Sequence, residues 1–308
     1  MRFLRTLDGS FKYMNLKRLR RKINVVADST QLKVVKIIMF VVFSLYAASL
    51  IFPFIWLIIN MFKTNQEFFM NVWAWPKDFK NGWVNLSTAL NRTMMGSSVW
   101  EMTLRSLWVS IAATFISLLS ASTVAYVVAK YKFFGRNILY ILAIMVMIVP
   151  TVGSTSATYK LIGDLGLFDN PLALLILYSG GFGFQFLLLY GVFRSISWTY
   201  AEAAYVDGAN DFMIFFKIML PMAVASLVPL GVLNFIGFWN DYFTPFLYLK
   251  SQPTLAVGLQ AFVNQMEYDA NWPALFALML FSMLPVITLF IVFQKQIMAN
   301  ITTGGLKG

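Results

Sequence analysis

Runs of apolar residues long enough to cross a lipid bilayer restrict this chain more than any other feature. About 20 such residues span the hydrocarbon core as a helix. Six windows reach that length: 34–62, 104–129, 138–158, 172–193, 222–242 and 273–297. Inside a bilayer the backbone finds no water to bond, so only helices and closed barrels cross it. The windows predict an all-α, polytopic membrane protein with six transmembrane helices. Pro150 and Gly153 interrupt the third window, and Pro53, Pro229 and Pro285 lie in the first, fifth and sixth. Composition agrees: 59% of residues are hydrophobic and 12% charged, against about 25% charged in an ordinary soluble domain.

The residue supply also limits the chemistry. The chain has no Cys and no His. That excludes disulfides, thiol catalysis and Cys-based metal centres, and it removes the usual proton shuttle. A membrane-embedded enzyme is therefore the weakest reading.

The net charge of +11 is unevenly placed, with ten of the 24 Lys/Arg in residues 1–36. A basic segment at 1–33 abutting the first window is the expected cytoplasmic anchor, able to touch anionic headgroups. No aromatic-and-basic motif accompanies it, so nucleic acid is not the expected partner. A long basic region before a span-length run differs from a signal peptide, so the first window reads as an uncleaved helix. With both termini inside, 17 of the Lys/Arg face inward and seven outward, the expected asymmetry. The organisation is thus a basic segment (1–33), a membrane domain (34–298) and a short cytoplasmic tail (299–308). The outer stretch 63–103 carries Phe68, Phe69, Trp73, Trp75, Phe79, Trp83 and Trp100. It reads either as an interfacial aromatic belt or as a docking surface for an external partner.

Residues 194–221 are too polar to span and predict two short helices. Thr199 and Glu202 have capping-box spacing, and Ala201, Ala203 and Ala204 are small helix formers. Gly208 stands where a helix would end in a left-handed residue, and Asn210 is a candidate N-cap for the second helix. Phe212, Phe215, Phe216 and Met219 are expected on one apolar face of that helix. Pro221 would end it and open the fifth span. On physics alone this knob is either a simple loop on its own bundle or a handle for another protein.

The spacing Glu202-Ala203-Ala204, three residues, Gly208, nine residues, Ile218, Leu220, Pro221 resembles the EAA motif of the membrane subunits of ATP-binding-cassette importers. Asp207 and Ala209 fit the extended Asp-Gly-Ala form. Ala125-Tyr126, Phe134-Gly135, Gly166-Leu167 and the final Gly305-Leu306-Lys307-Gly308 are similar to the carbohydrate-uptake branch, in particular the smaller permease of maltose-type importers. The stretch Ser197–Ala201 lacks the usual Pro and extra acids, and Arg105-Ser106 stands where Asn-Ser is common.

The resemblance implies a six-helix importer permease fold whose coupling helix, near 199–219, docks in a cleft of a separate ATPase. Glu202 would meet a basic residue there, Ala203 and Ala204 would form the close-contact surface, and Gly208 the turn. The implied assembly has a second homologous permease (a heterodimer is expected), two ATPase subunits holding ATP and magnesium, and an extracellular or periplasmic solute-binding protein. It would sit in a bacterial inner membrane. The chain has no phosphate-loop motif of its own, so no cofactor is expected on it.

Sugars are held by aromatic stacking and by polar groups lining a cavity. Polar residues within spans mark candidate pathways: Tyr178, Gln185 and Tyr190 around the fourth window, and Asn234, Trp239, Asn240, Asp241 and Tyr242 around the fifth. Gln185 and Asn234 could equally be interhelical hydrogen-bond glue. Gly180, Gly181 and Gly183 permit close helix approach or local unwinding, with close packing the default. A secondary transporter or channel is the alternative function. It would need buried charges for ion coupling, and the span middles are essentially free of them.

Overall fold

The computed structural model describes residues 30–148 and 151–304. The basic segment therefore falls outside the described residues except at 30–33, as do Pro150 and residues 305–308 of the expected tail. The described residues group into two compact units that divide between Ile59 and Asn60. Helix α1 (Thr30–Met61) is apolar around its whole circumference, and none of its residues 32–59 is buried, whereas Asn60 near its end is. A helix hydrophobic on every side is suited to lipid or to other helices.

A short outer segment follows. Helix α2 (Asn65–Met70) opens with a complete capping box between Thr64 and Glu67, and α3 (Asn81–Leu90) follows it. Lys63 is fully buried and donates to the carbonyls of Asn71 and Val72, 3.1 Å each. Asn85 donates to the carbonyls of Met61 and Lys63. Of the aromatics in this stretch, Phe68 is buried against Trp272 and Phe276; Phe69, Trp73, Trp75, Phe79, Trp83 and Trp100 are exposed.

A two-residue hairpin pairs β1 (Thr93–Met94) with β2 (Ser97–Ser98). Met95 and Gly96 both have positive φ, which matches the right-handed twist of such ribbons. The hairpin feeds the 32-residue α4 (Val99–Lys130), capped by a second box between Ser98 and Glu101. Helix α4 buries a stripe of small residues, including Ser110, Ala113, Ser117, Ala121 and Ala125. Small side chains let backbones approach closely where lipid gives no hydrophobic drive, so α4 becomes the axis of the larger unit.

The third window is split into α5 (Arg136–Ile148), a 3-10 turn (Thr151–Ser154) holding Gly153, and α6 (Thr155–Asp164). The fourth is split as well, into α7 (Leu172–Tyr178) and α8 (Phe184–Ser195). Unwinding therefore does occur at the glycines, against the default expectation of close packing alone: Gly183 has φ +100°. Close approach occurs too. A Cβ on Gly181 would stand 2.9 Å from Ser120 Oγ. Next come α9 (Thr199–Val206), α10 (Asp211–Ile214), a π-helical turn (Phe215–Met219), α11 (Leu220–Met222) and α12 (Val224–Asn240). The chain then forms α13 (Phe243–Tyr248), α14 (Leu255–Asp269) and α15 (Trp272–Gly304). Helix α15 continues through 299–304, so that part of the expected tail is helical.

Among the described residues α1, α4 and α15 are each long and apolar enough to cross a membrane, and 211–222 with α12 qualifies as a pair bent by 79°. Pro53, Pro229 and Pro285 stay inside continuous helices. Three cores surround α4. One joins its C-terminal half to α8, α9 and α10, another joins its start to α12, α14 and α15, and a small one gathers Val109, Ile162, Leu174 and Tyr248.

Candidate functional site

The knob lies at the C-terminal end of α4. Helix α9 opens one residue earlier than expected, because Trp198 already has helical φ and ψ (−69°, −20°) and its carbonyl accepts from the amides of Ala201 and Glu202. Thr199 therefore sits inside the helix, where its hydroxyl cannot cap. It pairs instead with Ser197 Oγ at 2.9 Å, which also accepts the Thr199 amide. The expected capping box between Thr199 and Glu202 does not form. The Glu202 carboxylate is exposed and has no partner among the described residues.

The end of α9 matches expectation. Gly208 has φ +82°, and the two bonds of a Schellman motif are present: Gly208 N–H to Tyr205 C=O and Ala209 N–H to Ala204 C=O. A Cβ on Gly208 would meet nothing within 4 Å, so the demand is for the left-handed backbone, not for space. Asn210 Oδ1 then accepts the Met213 amide at 2.8 Å, capping α10.

The second helix is not the amphipathic α-helix predicted. Its π turn shifts the register, so Ile214 and Met219, five residues apart, share the buried face with Phe215. Phe212 and Phe216 are exposed at 77% and 49%, which corrects the expected stripe of Phe212, Phe215, Phe216 and Met219. Ile218 and Leu220 are half-buried, Pro221 lies exposed within α11, and the bend into α12 comes at Ala223 rather than at the proline.

The alanines divide. Ala201 and Ala204 pack inward against Ala125, Phe193 and their neighbours, whereas Ala203 faces outward with Glu202, Val206 and Asp207. Ala203 and Ala204 do not contribute equally to the expected contact surface: Ala203 lies on the open side, and Ala204 is buried but lines the same cleft. A cleft of about 500 Å³ runs beside it, lined by Ser197, Tyr200, Ala203, Asp207 and Ile218 among others, with Ala204 at its floor. Burying Ile214, Phe215 and Met219 contributes roughly 1.5–3 kcal/mol each, so the inner face holds the knob firmly to the bundle.

Sequence reasoning missed how the knob is tied on. Tyr131, just past α4, donates to Asp211 Oδ1 at 2.6 Å, and Tyr205 donates to the same oxygen. Tyr126 and Tyr131 hydroxyls meet at 3.3 Å, Tyr131 stands edge-on to Trp198, and Lys130 Nζ donates to the Ile196 carbonyl. The two phenol donors hold the Asp211 carboxylate below its usual range, and the bond to Asp211 pushes the Tyr205 phenol up. Tyr131 and Asp211 are 80 residues apart, so no spacing rule links them.

The eight pathway candidates do not converge. Gln185 Nε2 donates to Asn234 Oδ1 at 2.6 Å and Ser117 Oγ donates to Gln185 Oε1 at 3.3 Å, bridging α4, α8 and α12. This is the geometry of interhelical glue, with Asn234 Nδ2 left buried and unbonded. Tyr178 donates to Asp241 Oδ2 at 2.6 Å, and Asp241 Oδ1 accepts the Thr244 amide to start α13. Tyr190 packs at a tilt against Tyr140, ring centroids 4.9 Å apart, with Arg136 at 3.5 Å from its hydroxyl. Trp239 is buried and donates to the Ser282 carbonyl. Asn240 is exposed and donates to the Ile236 carbonyl, and Tyr242 stacks on Phe246.

Residues 113–302, from mid-α4 to near the end of α15, match the family described as binding-protein-dependent transport system inner membrane component. The diacetylchitobiose uptake system permease protein NgcG of Streptomyces coelicolor is 26% identical over 271 residues, covering 85% of this chain and 86% of its own. The probable ABC transporter permease protein YurM of Bacillus subtilis is 30% identical over 268 residues, covering 86% of each. The arabinooligosaccharides transport system permease protein AraQ of Bacillus subtilis is 28% identical, covering 92% of this chain and all of its own. In fold the chain is similar to a chain of a bacterial ABC transporter involved in import of the acidic polysaccharide alginate, with TM-score 0.75 and 23% identity over 87% of this chain and 98% of that one. With more than half its length matched and an outward-facing Glu-Ala knob on an α4-centred bundle, this chain belongs to the binding-protein-dependent inner membrane components, the permeases of ABC transporters.

Proposed function

We propose that this protein is a non-catalytic permease subunit of an ABC importer for a sugar or oligosaccharide. It forms half of the translocation path and couples it to a separate ATPase through the knob at 199–219. One observation carries this reading. The inner face of the knob is buried in the protein's own core, while Glu202, Ala203, Val206 and Asp207 face outward beside an open cleft. A segment rigid toward its own bundle and open on the other side suits the transmission of a push.

In this mechanism the Glu202 carboxylate pairs with a basic residue of the ATPase, Ala203 admits close approach, and Gly208 and Asn210 fix the turn. Asp207, Ile218, Leu220 and Pro221 complete the same handle. ATP and magnesium bind the partner ATPases, whose closure moves the knob as a body. The spans then alternate between inward- and outward-facing states, a two-state element biased by a ligand bound elsewhere. The remaining parts are a second homologous permease in a heterodimer, two ATPase subunits, a solute-binding protein outside, and a bacterial inner membrane with both protein termini in the cytoplasm. The sugar class is supported by the relatives named for diacetylchitobiose and arabinooligosaccharides.

The test replaces one charge. Glu202→Lys is expected to leave the protein in the membrane while ATPase co-purification and ATP-driven uptake both fall at least tenfold. Uptake is followed with labelled diacetylchitobiose, arabinooligosaccharides and maltodextrins, with ATP and with a non-hydrolysable analogue. Unchanged co-purification and uptake in the variant, or accumulation without ATP hydrolysis, would overturn the reading.

A further inference from the structure

The push on the knob must reach the spans through specific contacts, and the buried apolar face is not the only one. Asp211 heads α10 and accepts from Tyr131 at the end of α4 and from Tyr205 of α9. The three groups come from three elements and meet at a single carboxylate oxygen. Around them Tyr126 and Trp198 each stand edge-on to Tyr131. Hydrogen bonds to a charged acceptor are about twice as strong as neutral ones, and a low carboxylate pKa keeps that charge in place at neutral pH. Apolar packing holds the knob against the bundle but is not directional. A shared oxygen bonded from two directions fixes orientation as well.

We propose that Asp211 is a positioning residue which, with Tyr131 and Tyr205, locks the two knob helices to the end of α4 so that knob and span move as one body. The proposal rests on the coupling reading given above. The residues touch no substrate and no nucleotide; they act by keeping the handle from turning on its shaft.

The absence of Cys from the chain permits a direct measurement. Nitroxide labels are placed at Val206→Cys on the exposed knob and Leu104→Cys near the far end of α4, in the complete complex reconstituted into lipid. Interspin distances are recorded without nucleotide and after trapping with ATP and orthovanadate. The intact clamp is expected to give a narrow distribution with the same mean, within about 2 Å, in both states. Asp211→Ala is expected to broaden it and to shift its mean on trapping, with ATP hydrolysis retained.

Tyr131→Phe, which removes only a hydroxyl and leaves the first turn of α10 untouched, should broaden it in the same way. The Asp211→Ala/Tyr131→Phe pair should add nothing further. Asp211→Asn, which keeps a weaker, neutral amide oxygen as acceptor, should restore part of the narrow distribution, an outcome that a general loss of stability would not produce. Distributions identical to the parent in Asp211→Ala and Tyr131→Phe, or additive effects in the pair, would overturn the proposal. Glu202→Lys separates the two layers. If the knob does not dock on the ATPase, trapping alters nothing in any variant and Glu202→Lys still co-purifies. If docking holds and only the clamp is wrong, Glu202→Lys fails to co-purify while Asp211→Ala remains rigid.

Discussion

Gly208 is the residue on which the shape of the knob turns. Its φ of +82° lets Ala209 and Gly208 bond back to Ala204 and Tyr205, and any L side chain there pays about 1–2 kcal/mol for the left-handed backbone. Gly208→Ala is therefore expected to lower the melting temperature of the detergent-purified protein. Gly208→Asn should lower it less, because Asn tolerates that region; equal loss in both would mean that the turn is not what matters. This residue was legible in the sequence because its role is local. So was Asn210, whose side chain caps three residues on. Ala203 and Ala204 were only half legible. Two adjacent alanines on a helix point about 100° apart, and which of them meets the bundle depends on how the helix is laid down. Asp211 was not legible as a clamp at all, because its partner Tyr131 arrives from a different helix.

At the scale of elements, one motif tells two stories. Thr64–Glu67, Ser98–Glu101 and Thr199–Glu202 share the same spacing. The first two form capping boxes, with N-cap residues in extended conformation. The third does not, because Trp198 is drawn into helical geometry while packing against Tyr131 and Tyr205. That leaves Glu202 exposed for other use. The π turn at Phe215–Met219 is a similar case: the sequence pattern fits a 3.6-residue period, and the extra residue that rotates Phe216 outward shows only in the backbone. The polar bridge across α4, α8 and α12 gives a test of glue against pathway. Gln185→Leu alone strands Asn234 and is expected to cost about 0.6–2 kcal/mol. The Gln185→Leu/Asn234→Leu pair should recover part of that in a double-mutant cycle of thermal stability. Lost uptake with unchanged stability would instead place these residues on the transport path.

At the scale of the whole molecule, the apolar face of α1 and the exposed aromatics of the outer segment leave much greasy surface open in a single chain, as a subunit in a bilayer requires. The orientation can be read directly, since every introduced thiol is the only one in the chain. Val206→Cys is expected to react with a membrane-impermeant maleimide only in inside-out vesicles, and Trp83→Cys only in right-side-out vesicles; the reverse pattern would invert the topology drawn from Lys and Arg placement. By itself the sequence determined the solvent, the helical class, the absence of His and Cys chemistry, and the position of the knob with its glycine turn. Each of these follows from composition or from residues within one turn of each other. Tertiary structure alone decided that the fourth window unwinds at its glycines as well as packing closely there, which alanine faces out, that Glu202 is left uncapped, and that Tyr131, Tyr205 and Asp211 share one oxygen. Those outcomes depend on contacts between segments far apart in the chain, and their free energies are set by packing that no local pattern encodes.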